Sequence, residues 1–160
     1  FVTNNILQHI GRAQPTNRGL GFGLHVNDWD TGLIKNNIFS LWGSSVITNT
    51  QTFLFEGHTK DLKIESNVFY NVYTKYNAYI MARSTGAMAN ITLQNNEFHH
   101  TLLSDTKLLD FTDKAFSESL FSQNKFSLNT DHPFSFVIDS TSLSISEWLD
   151  LSSVTDSINQ

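Results

Sequence analysis

The sequence predicts an all-β fold, a parallel β-solenoid (β-helix) of about five coils that is closed by a short C-terminal capping helix. Three observations support this prediction: a recurring six-residue string, apolar positions that flank it, and a second apolar burst in every repeat. The strings are VTNNIL (2–7), IKNNIF (34–39), IESNVF (64–69), LQNNEF (93–98) and FSQNKF (121–126). A near-constant period in this range is the sequence signature of a repeat array.

The second asparagine of each string marks the repeat. These markers lie 32, 30, 29 and 28 residues apart, at Asn5, Asn37, Asn67, Asn96 and Asn124. The third position before the marker and the second position after it are apolar in all five strings, whereas the position directly after it accepts charge at Glu97 and Lys125. We therefore expect short strands whose apolar side chains point inward, with the position after the marker facing out.

The second apolar burst lies in the middle of each repeat, at 21–26, 52–57, 78–83, 107–112 and 134–139. Each repeat is then strand, turn, strand, turn, because these segments are too short and too rich in Thr, Asn and Phe for a helical repeat. Parallel stacking places equivalent residues about 4.8 Å apart. We expect Phe rings to stack inside the coils, and Asn side chains to chain their amides at a bend that needs left-handed backbone.

The C-terminal segment departs from the repeat and predicts a cap. Ser144 and Glu147 have the S-x-x-E spacing of a capping box, which predicts a short helix from about 145 to 151. Trp148, with Leu149 or Leu151, would cover the last coil, since an uncovered end exposes apolar rings and unpaired backbone.

These features divide the chain into solenoid coils over 1–141 and a cap and tail over 142–160. Phe1 and Val2 begin inside a coil. We therefore expect preceding coils, in the same polypeptide or in another chain, with an N-terminal β-helix segment of the same protein as the expected partner.

Composition excludes several classes of function. The 160 residues carry a net charge of −5 without a basic cluster, which disfavours nucleic-acid binding. Cysteine is absent, so the chain has no disulfide framework and no thiolate metal site. No apolar run approaches the roughly 18 residues of a membrane-spanning helix, so no membrane partner is expected.

The five strings resemble the right-handed parallel β-helix repeats of pectate-lyase-like proteins, over nearly the whole chain. The tail is similar to the endings of secreted bacterial β-helix proteins linked to polysaccharide breakdown, through Trp148 and Asp156, with Thr155 in place of the usual glycine. The resemblance implies a right-handed solenoid that is secreted, periplasmic or at the cell surface, with a polysaccharide substrate.

Charged residues at equal offsets from the markers predict stacked pairs. Asp28 and His58 each lie nine residues before a marker, and Asp30 and Lys60 each lie seven before. Neighbouring coils would bring each pair within about 5 Å. A histidine beside a carboxylate can act as a general base or acid. The alternative interpretation of both pairs is a surface ion pair that closes a turn and contributes little.

Further candidates lie near the first long turn, 9–21, which carries Arg12 and Arg18 as substrate-binding candidates. His25 is expected to point outward from a mid-repeat strand, and Arg83 ends a similar strand, so both are candidates for contact with an acidic sugar. Lyases of the resembled architecture need a cation that neutralises a uronate carboxylate and a base that takes the adjacent proton. His25, Asp28, His58 and Arg83 are therefore the candidate catalytic residues.

Two other sets of side chains complete the candidate list. Trp29 and Trp42 could stack on sugar rings, although Trp42 could equally fill a corner of the solenoid. Asp110 and Asp139 could form the paired carboxylates that a glycoside hydrolase needs, about 5 to 9.5 Å apart. We expect no metal or other cofactor, with Ca²⁺ left open.

Two functions remain open at this point. The first is the C-terminal part of a secreted carbohydrate-active β-helix enzyme, either a polysaccharide lyase or a glycoside hydrolase. The second is a non-catalytic carbohydrate-binding, adhesive or tailspike-like β-helix. The P-loop, G-x-S-x-G and H-E-x-x-H signatures are absent, so no motif decides between them.

Overall fold

A computed structural model describes residues 1–9, 20–43, 49–72, 78–83, 88–102, 106–128, 136–151 and 157–159. Within these ranges the chain is an all-β parallel β-solenoid with a short C-terminal helix, as the sequence predicts. Three sheets run along the solenoid, and each successive coil contributes one strand to each sheet.

The first sheet contains the strands that precede the marker asparagines. Its parallel strands, among the described residues, are Val2–Thr3 (β1), Gly32–Lys35 (β4), Leu62–Glu65 (β7), Ile91–Gln94 (β10) and Ser119–Ser122 (β13). The register aligns the predicted apolar column that lies three residues before the marker: Val2, Ile34, Ile64, Leu93 and Phe121.

The second sheet contains the strands that follow the markers. They are Ile6–Gln8 (β2), Ile38–Ser40 (β5), Val68–Tyr70 (β8), Glu97–His100 (β11), Lys125–Leu128 (β14) and Ser157–Asn159 (β17), all parallel. Leu7 begins an inward column that continues through stacked phenylalanines, with ring centroids 5.3 Å apart for Phe39–Phe69 and 4.8 Å for Phe69–Phe98. The predicted stacking of Phe over Phe is therefore confirmed.

The third sheet contains the mid-repeat strands. They are Leu20–Asn27 (β3), Asn49–Glu56 (β6), Ala78–Arg83 (β9), Lys107–Phe111 (β12) and Phe136–Ile138 (β15), followed by the antiparallel strand Thr141–Leu143 (β16). In the described ranges, three coils, which start at β4, β7 and β10, have parallel neighbours on both sides in all three sheets. The sequence estimate of about five also counts the two terminal coils, which lack this pairing.

The marker asparagines form a buried ladder. Asn37, Asn67 and Asn96 are 0% exposed, and Asn124 is 1% exposed. The backbone N–H and the Nδ2 of each marker donate to the Oδ1 of the next marker at 3.0 Å. The left-handed backbone belongs to the preceding residue, as at Asn36 (φ 56°) and Ser66 (φ 55°). The two roles that the sequence suggested for asparagine are thus divided between adjacent positions.

The C-terminal cap has the predicted structure. Helix α2 spans Ile145–Leu151, and the capping box is formed: the Ser144 N–H donates to Glu147 Oε2 at 2.8 Å, and the Glu147 N–H donates to Ser144 Oγ. Trp148 is fully buried and stacks on Phe136 with ring centroids 4.7 Å apart. Leu149 packs against the core, whereas Leu151 is 57% exposed.

Three short elements were not predicted. Helix α1 spans only Asp113–Ser117, with the Thr112 hydroxyl accepting from the Ala115 N–H as its N-cap. Strand β16 folds back on β15, and β17 adds a further parallel strand from the tail. An element of three to five residues is too short for a periodic pattern to reveal it.

Candidate functional site

The outer face of the third sheet carries a row of ionisable side chains. The register aligns Asn27 with Glu56 and Glu56 with Arg83, one position beyond the inward-facing column that includes Phe55. Because side chains alternate across a strand, Glu56 and Arg83 project outward on neighbouring coils. Asp110 follows on the next strand, β12.

Four of these side chains form two ion pairs, and we call them the third-sheet cluster: His25, Glu56, Arg83 and Asp110. His25 Nε2 lies 2.9 Å from Glu56 Oε2, and Arg83 Nη2 lies 3.2 Å from Asp110 Oδ2. The side chains of His25 and Arg83 are 44% and 48% exposed, so both are accessible from solvent. Two candidate catalytic residues, His25 and Arg83, are therefore brought onto one face of the sheet.

Asp110 is the most buried carboxylate of the cluster, with its side chain 16% exposed. Burial raises the pKa of Asp110, because removal from water disfavours the charged form, and the positive charges of Arg83 and Lys107 partly oppose this. A carboxyl group shifted in this direction holds its proton more readily than an exposed aspartate. Groups with such perturbed titration are enriched at functional sites.

Asp28 and His58 are neighbours, as their offsets from the markers predict, but the contact is through backbone. The His58 backbone N–H donates to Asp28 Oδ1 at 2.8 Å. Asp28 has left-handed backbone (φ 58°), and Gly57 (φ 69°) has no room for a side chain, which would meet the carboxylate of Asp28 and the side chain of Asn27. The Asp28 carboxylate therefore closes a tight turn, and it does so by accepting a backbone N–H.

The second predicted pair, Asp30 and Lys60, is a surface ion pair, and the structure adds another, Lys35 and Glu65. Lys60 Nζ lies 3.3 Å from Asp30 Oδ1, with the two side chains 51% and 82% exposed. Lys35 Nζ lies 3.1 Å from Glu65 Oε2 across the first sheet. Exposed pairs of this kind contribute roughly 0 to 1 kcal/mol each, so they report the alignment of coils better than they explain stability.

The two tryptophan candidates are embedded to different depths. Trp42 is 1% exposed, and its Nε1 donates to the Leu7 carbonyl at 2.9 Å, so it fills a corner of the core and presents no face to a sugar. Trp29 is partly buried against the core. Its ring packs over Gly32, where any side chain would also collide with Leu62.

Of the remaining candidates, Asp139 is not brought into the cluster, and others lie outside the described residues. Arg12 and Arg18 lie outside the described residues, as do most of the first long turn and Asp156. Asp139 lies in an exposed turn with left-handed backbone, and the register pairs Asp110 with Val137 instead. The cluster is therefore built of two carboxylate–cation pairs, and Asp110 and Asp139 do not share a column.

Sequence reasoning missed Glu56 as the partner of His25, and it missed Asp110 as the partner of Arg83. Counting back from the markers aligns Asp28 with His58. The same count misaligns Asn27 and Glu56 by one residue, although these two residues are partners in the sheet. Gly57 is the extra residue between the two registers. The mid-repeat bursts, aligned on their own apolar columns, carry the signal that would have found both pairs.

Two kinds of feature are not found in the part of the chain that the structure describes. These residues include no group of three or more His, Asp or Glu side chains placed to hold a metal ion. They also include no helix that is long and apolar enough to cross a membrane. Comparisons of the chain with protein-family models, with curated proteins and with solved structures give no match.

Proposed function

We propose that this protein is a carbohydrate-active β-helix that binds an acidic polysaccharide along the outer face of the third sheet and cleaves it by β-elimination. The observation that carries the proposal is the environment of Arg83. Its side chain is 48% exposed, and among the described residues its single hydrogen bond runs from Nη2 to Asp110. A guanidinium has five N–H donors in a planar fork, so four remain to bind a uronate carboxylate in bidentate fashion.

The paired His25 and Glu56 supply the base. Their 2.9 Å contact joins an imidazole to a carboxylate on the two strands that precede Arg83. In the proposed reaction the base takes the proton on the carbon next to the uronate carboxylate, and the electron pair forms a carbon–carbon double bond. The bond between the β-carbon and the glycosidic oxygen breaks, and the departing oxygen takes a proton from solvent. Arg83 stabilises the negative charge that develops on the carboxylate.

The test is turnover of a panel of acidic and neutral glycans, followed by ultraviolet absorbance of the unsaturated product and by release of reducing ends. We expect absorbance to rise on uronate-containing polymers only. Arg83→Ala should lower kcat by about 10² to 10³-fold, the cost of removing one donor to a developing charge. His25→Ala should lower it by roughly 10² to 10⁴-fold, the usual contribution of a positioned acid or base.

Lys125→Ala is the matched control. Lys125 is a similarly exposed cation in an ion pair with Glu97 at 3.1 Å, but it lies on the second sheet. Its removal should leave turnover unchanged. Wild-type turnover in Arg83→Ala, or reducing ends without ultraviolet absorbance, would contradict β-elimination, and the second result would indicate a glycoside hydrolase.

A second candidate function is glycan binding without catalysis. The observation that favours it is the pairing within the third-sheet cluster, in which His25 and Arg83 each already contact a carboxylate. An acidic ligand must compete with Glu56 and Asp110, whereas a neutral glycan can bind their exposed polar atoms. Measurable binding of neutral glycans, with no turnover of any glycan in the panel, would establish this function instead.

The proposal carries three further expectations. We expect the solenoid to be right-handed, because parallel crossover connections are right-handed in about 98% of cases. We also expect it to be akin to pectate-lyase-like proteins, as the resemblance of its repeats implies. The protein acts where polysaccharides occur, as a secreted, periplasmic or cell-surface protein. Turnover needs no cofactor, and assays with added Ca²⁺ and with a chelator test whether Ca²⁺ assists.

A further inference from the structure

The first coil leaves open strand edges among the described residues. Strands β1 and β2 are terminal in the first and second sheets, and β3 is terminal in the third. Residues that are fully buried in the inner coils have only partly buried counterparts here, at Val2, Leu7 and Leu24. We call the surface formed by Val2, Thr3, Asn5, Leu7, Gln8 and Leu24 the N-terminal face.

The asparagine ladder has a direction, and its acceptor end lies on this face. In the inner coils, Oδ1 of a marker accepts from the backbone N–H and the Nδ2 of the marker one coil earlier, as Asn67 does from Asn37. No donor lies on Asn5 Oδ1 among the described residues. Asn5 Nδ2 turns back to the Thr3 carbonyl at 3.0 Å, whereas Asn37 Nδ2 reaches the Val2 carbonyl of the coil before it.

Backbone groups extend the same pattern. The Asn4 N–H donates to the Lys35 carbonyl, and the His9 N–H donates to the Ser40 carbonyl, each one coil later. Thr3 and Gln8 stand in register with Lys35 and Ser40. Their carbonyls therefore sit where a preceding coil would donate.

One donor completes the face. The residue after each inner marker donates to the marker carbonyl of the coil before it, as the Ile38 N–H does to Asn5 at 2.8 Å. Ile6 occupies the same position in the first coil. The N-terminal face thus offers three acceptors (Asn5 Oδ1 and the Thr3 and Gln8 carbonyls) and the Ile6 N–H, at the spacing of one coil.

We propose that the N-terminal face binds a further parallel β-coil of the same repeat, with asparagine at its marker position. Such a coil matches the acceptors, the donor and the apolar column at once, and it continues the coil–coil interface that already runs through the molecule. A capping helix offers no strand edge to this pattern. A second copy of this face would set Asn5 Oδ1 against another acceptor, and at the opposite end of the third sheet β15 is already paired with the antiparallel strand β16.

The test extends the chain by one coil. A copy of residues 63–91 is joined ahead of Phe1, which stands in register with Lys63 and Thr92 and so continues the repeat. The matched control is the same extension with Asn67→Asp in the copy, an isosteric change that removes the Nδ2 donors. Each chain is compared with the parent by thermal unfolding, hydrogen exchange of the Ile6 amide, and sedimentation.

We expect the asparagine extension to raise Tm by about 5 °C or more and to slow exchange of the Ile6 amide at least about tenfold, because both coils gain a paired edge. The aspartate extension should give a smaller rise. Equal Tm values for the two extensions, unchanged Ile6 exchange, or loss of folding on extension would overturn the proposal. A parent dimer that the extension dissociates would assign the face to a second copy, and would overturn it too.

Discussion

Replacement of Asn67 by leucine removes the centre of the asparagine ladder at nearly constant volume. Asn67 is fully buried, and its side chain takes part in four hydrogen bonds: Oδ1 accepts from Asn37 N and Nδ2, and Nδ2 donates to the Ile34 carbonyl and Asn96 Oδ1, all at 3.0 Å. Leucine leaves both Asn37 donors without their acceptor. Asn96 Oδ1 keeps the Asn67 backbone N–H, because that bond does not involve the side chain.

The expected loss follows from these orphaned groups. The Asn37 N–H is left unpaired, the Ile34 carbonyl loses its Nδ2 donor, and Asn37 Nδ2 keeps only the Val2 carbonyl. An unpaired buried polar group costs about 1 to 3 kcal/mol, so these losses together cost about 2 to 6 kcal/mol. Burial of the leucine side chain offsets about 1 kcal/mol of this. The free energy of unfolding should therefore fall by about 1 to 5 kcal/mol, a large part of the roughly 5 to 15 kcal/mol that stabilises a typical domain.

Urea unfolding followed by circular dichroism measures this loss, with an unchanged m-value showing that the change lies in stability. Asn5→Leu is the control within the same ladder, because Asn5 is exposed and its Oδ1 has no donor among the described residues. That variant should lose less than about 1 kcal/mol. An Asn67→Leu variant within about 0.5 kcal/mol of wild type, or an equally large loss in Asn5→Leu, would refute the ladder as a source of stability.

Three further predictions concern the cap and the charged faces. Trp148→Ala should lower the free energy of unfolding, measured in urea, by about 3 to 5 kcal/mol. Trp148→Phe should lower it far less, because phenylalanine keeps the ring stack and removes a buried Nε1 that has no partner among the described residues. Equal losses in the two variants would contradict a packing role. Arg83→Gln should raise the pKa of Asp110 further, because the Arg83 charge lowers it, and an unchanged NMR titration would contradict this. The hydrogen bond from Lys125 lowers the pKa of Glu97 below its ordinary value of 4.5. The stability that this ion pair contributes is therefore present above the ordinary pKa and is lost as the pH falls through the lower pKa of Glu97 in the folded state. Glu97→Gln should therefore lessen the loss of stability in acid, and identical acid unfolding curves would contradict the pairing.

The sequence predicts the fold well because equivalent positions of successive repeats align as columns in the sheets. Each of the last four marker strings fixes an inward apolar residue, a buried amide and an inward ring, and all three columns align in the sheets. Glu147 and Ser144 likewise predict the cap helix through contacts three residues apart. Local patterns of this kind depend only on chain geometry, so they can be recognised without coordinates.

The site is harder to predict, because it depends on how coils of unequal length align. His25 and Glu56 meet only because Gly57 adds a residue after the mid-repeat strand, which displaces the alignment based on the markers. The same offset gave Asp28 and His58 correctly as neighbours, yet it could not reveal that the contact is made by a backbone N–H. The left-handed turn at Asp28 determines that its carboxylate contacts the backbone of His58. The repeat pattern of the sequence does not encode this turn.

The central claim is that parallel coils place marker above marker, so that each asparagine amide bonds to the next. Scalar couplings across hydrogen bonds, measured by NMR on isotope-labelled protein, test it most directly. We predict couplings from the backbone ¹⁵N of Asn37, Asn67 and Asn96 to the side-chain ¹³Cγ of Asn67, Asn96 and Asn124, respectively. Slowly exchanging amides that show no such couplings, or couplings to carbonyls elsewhere in the chain, would contradict the stacked solenoid.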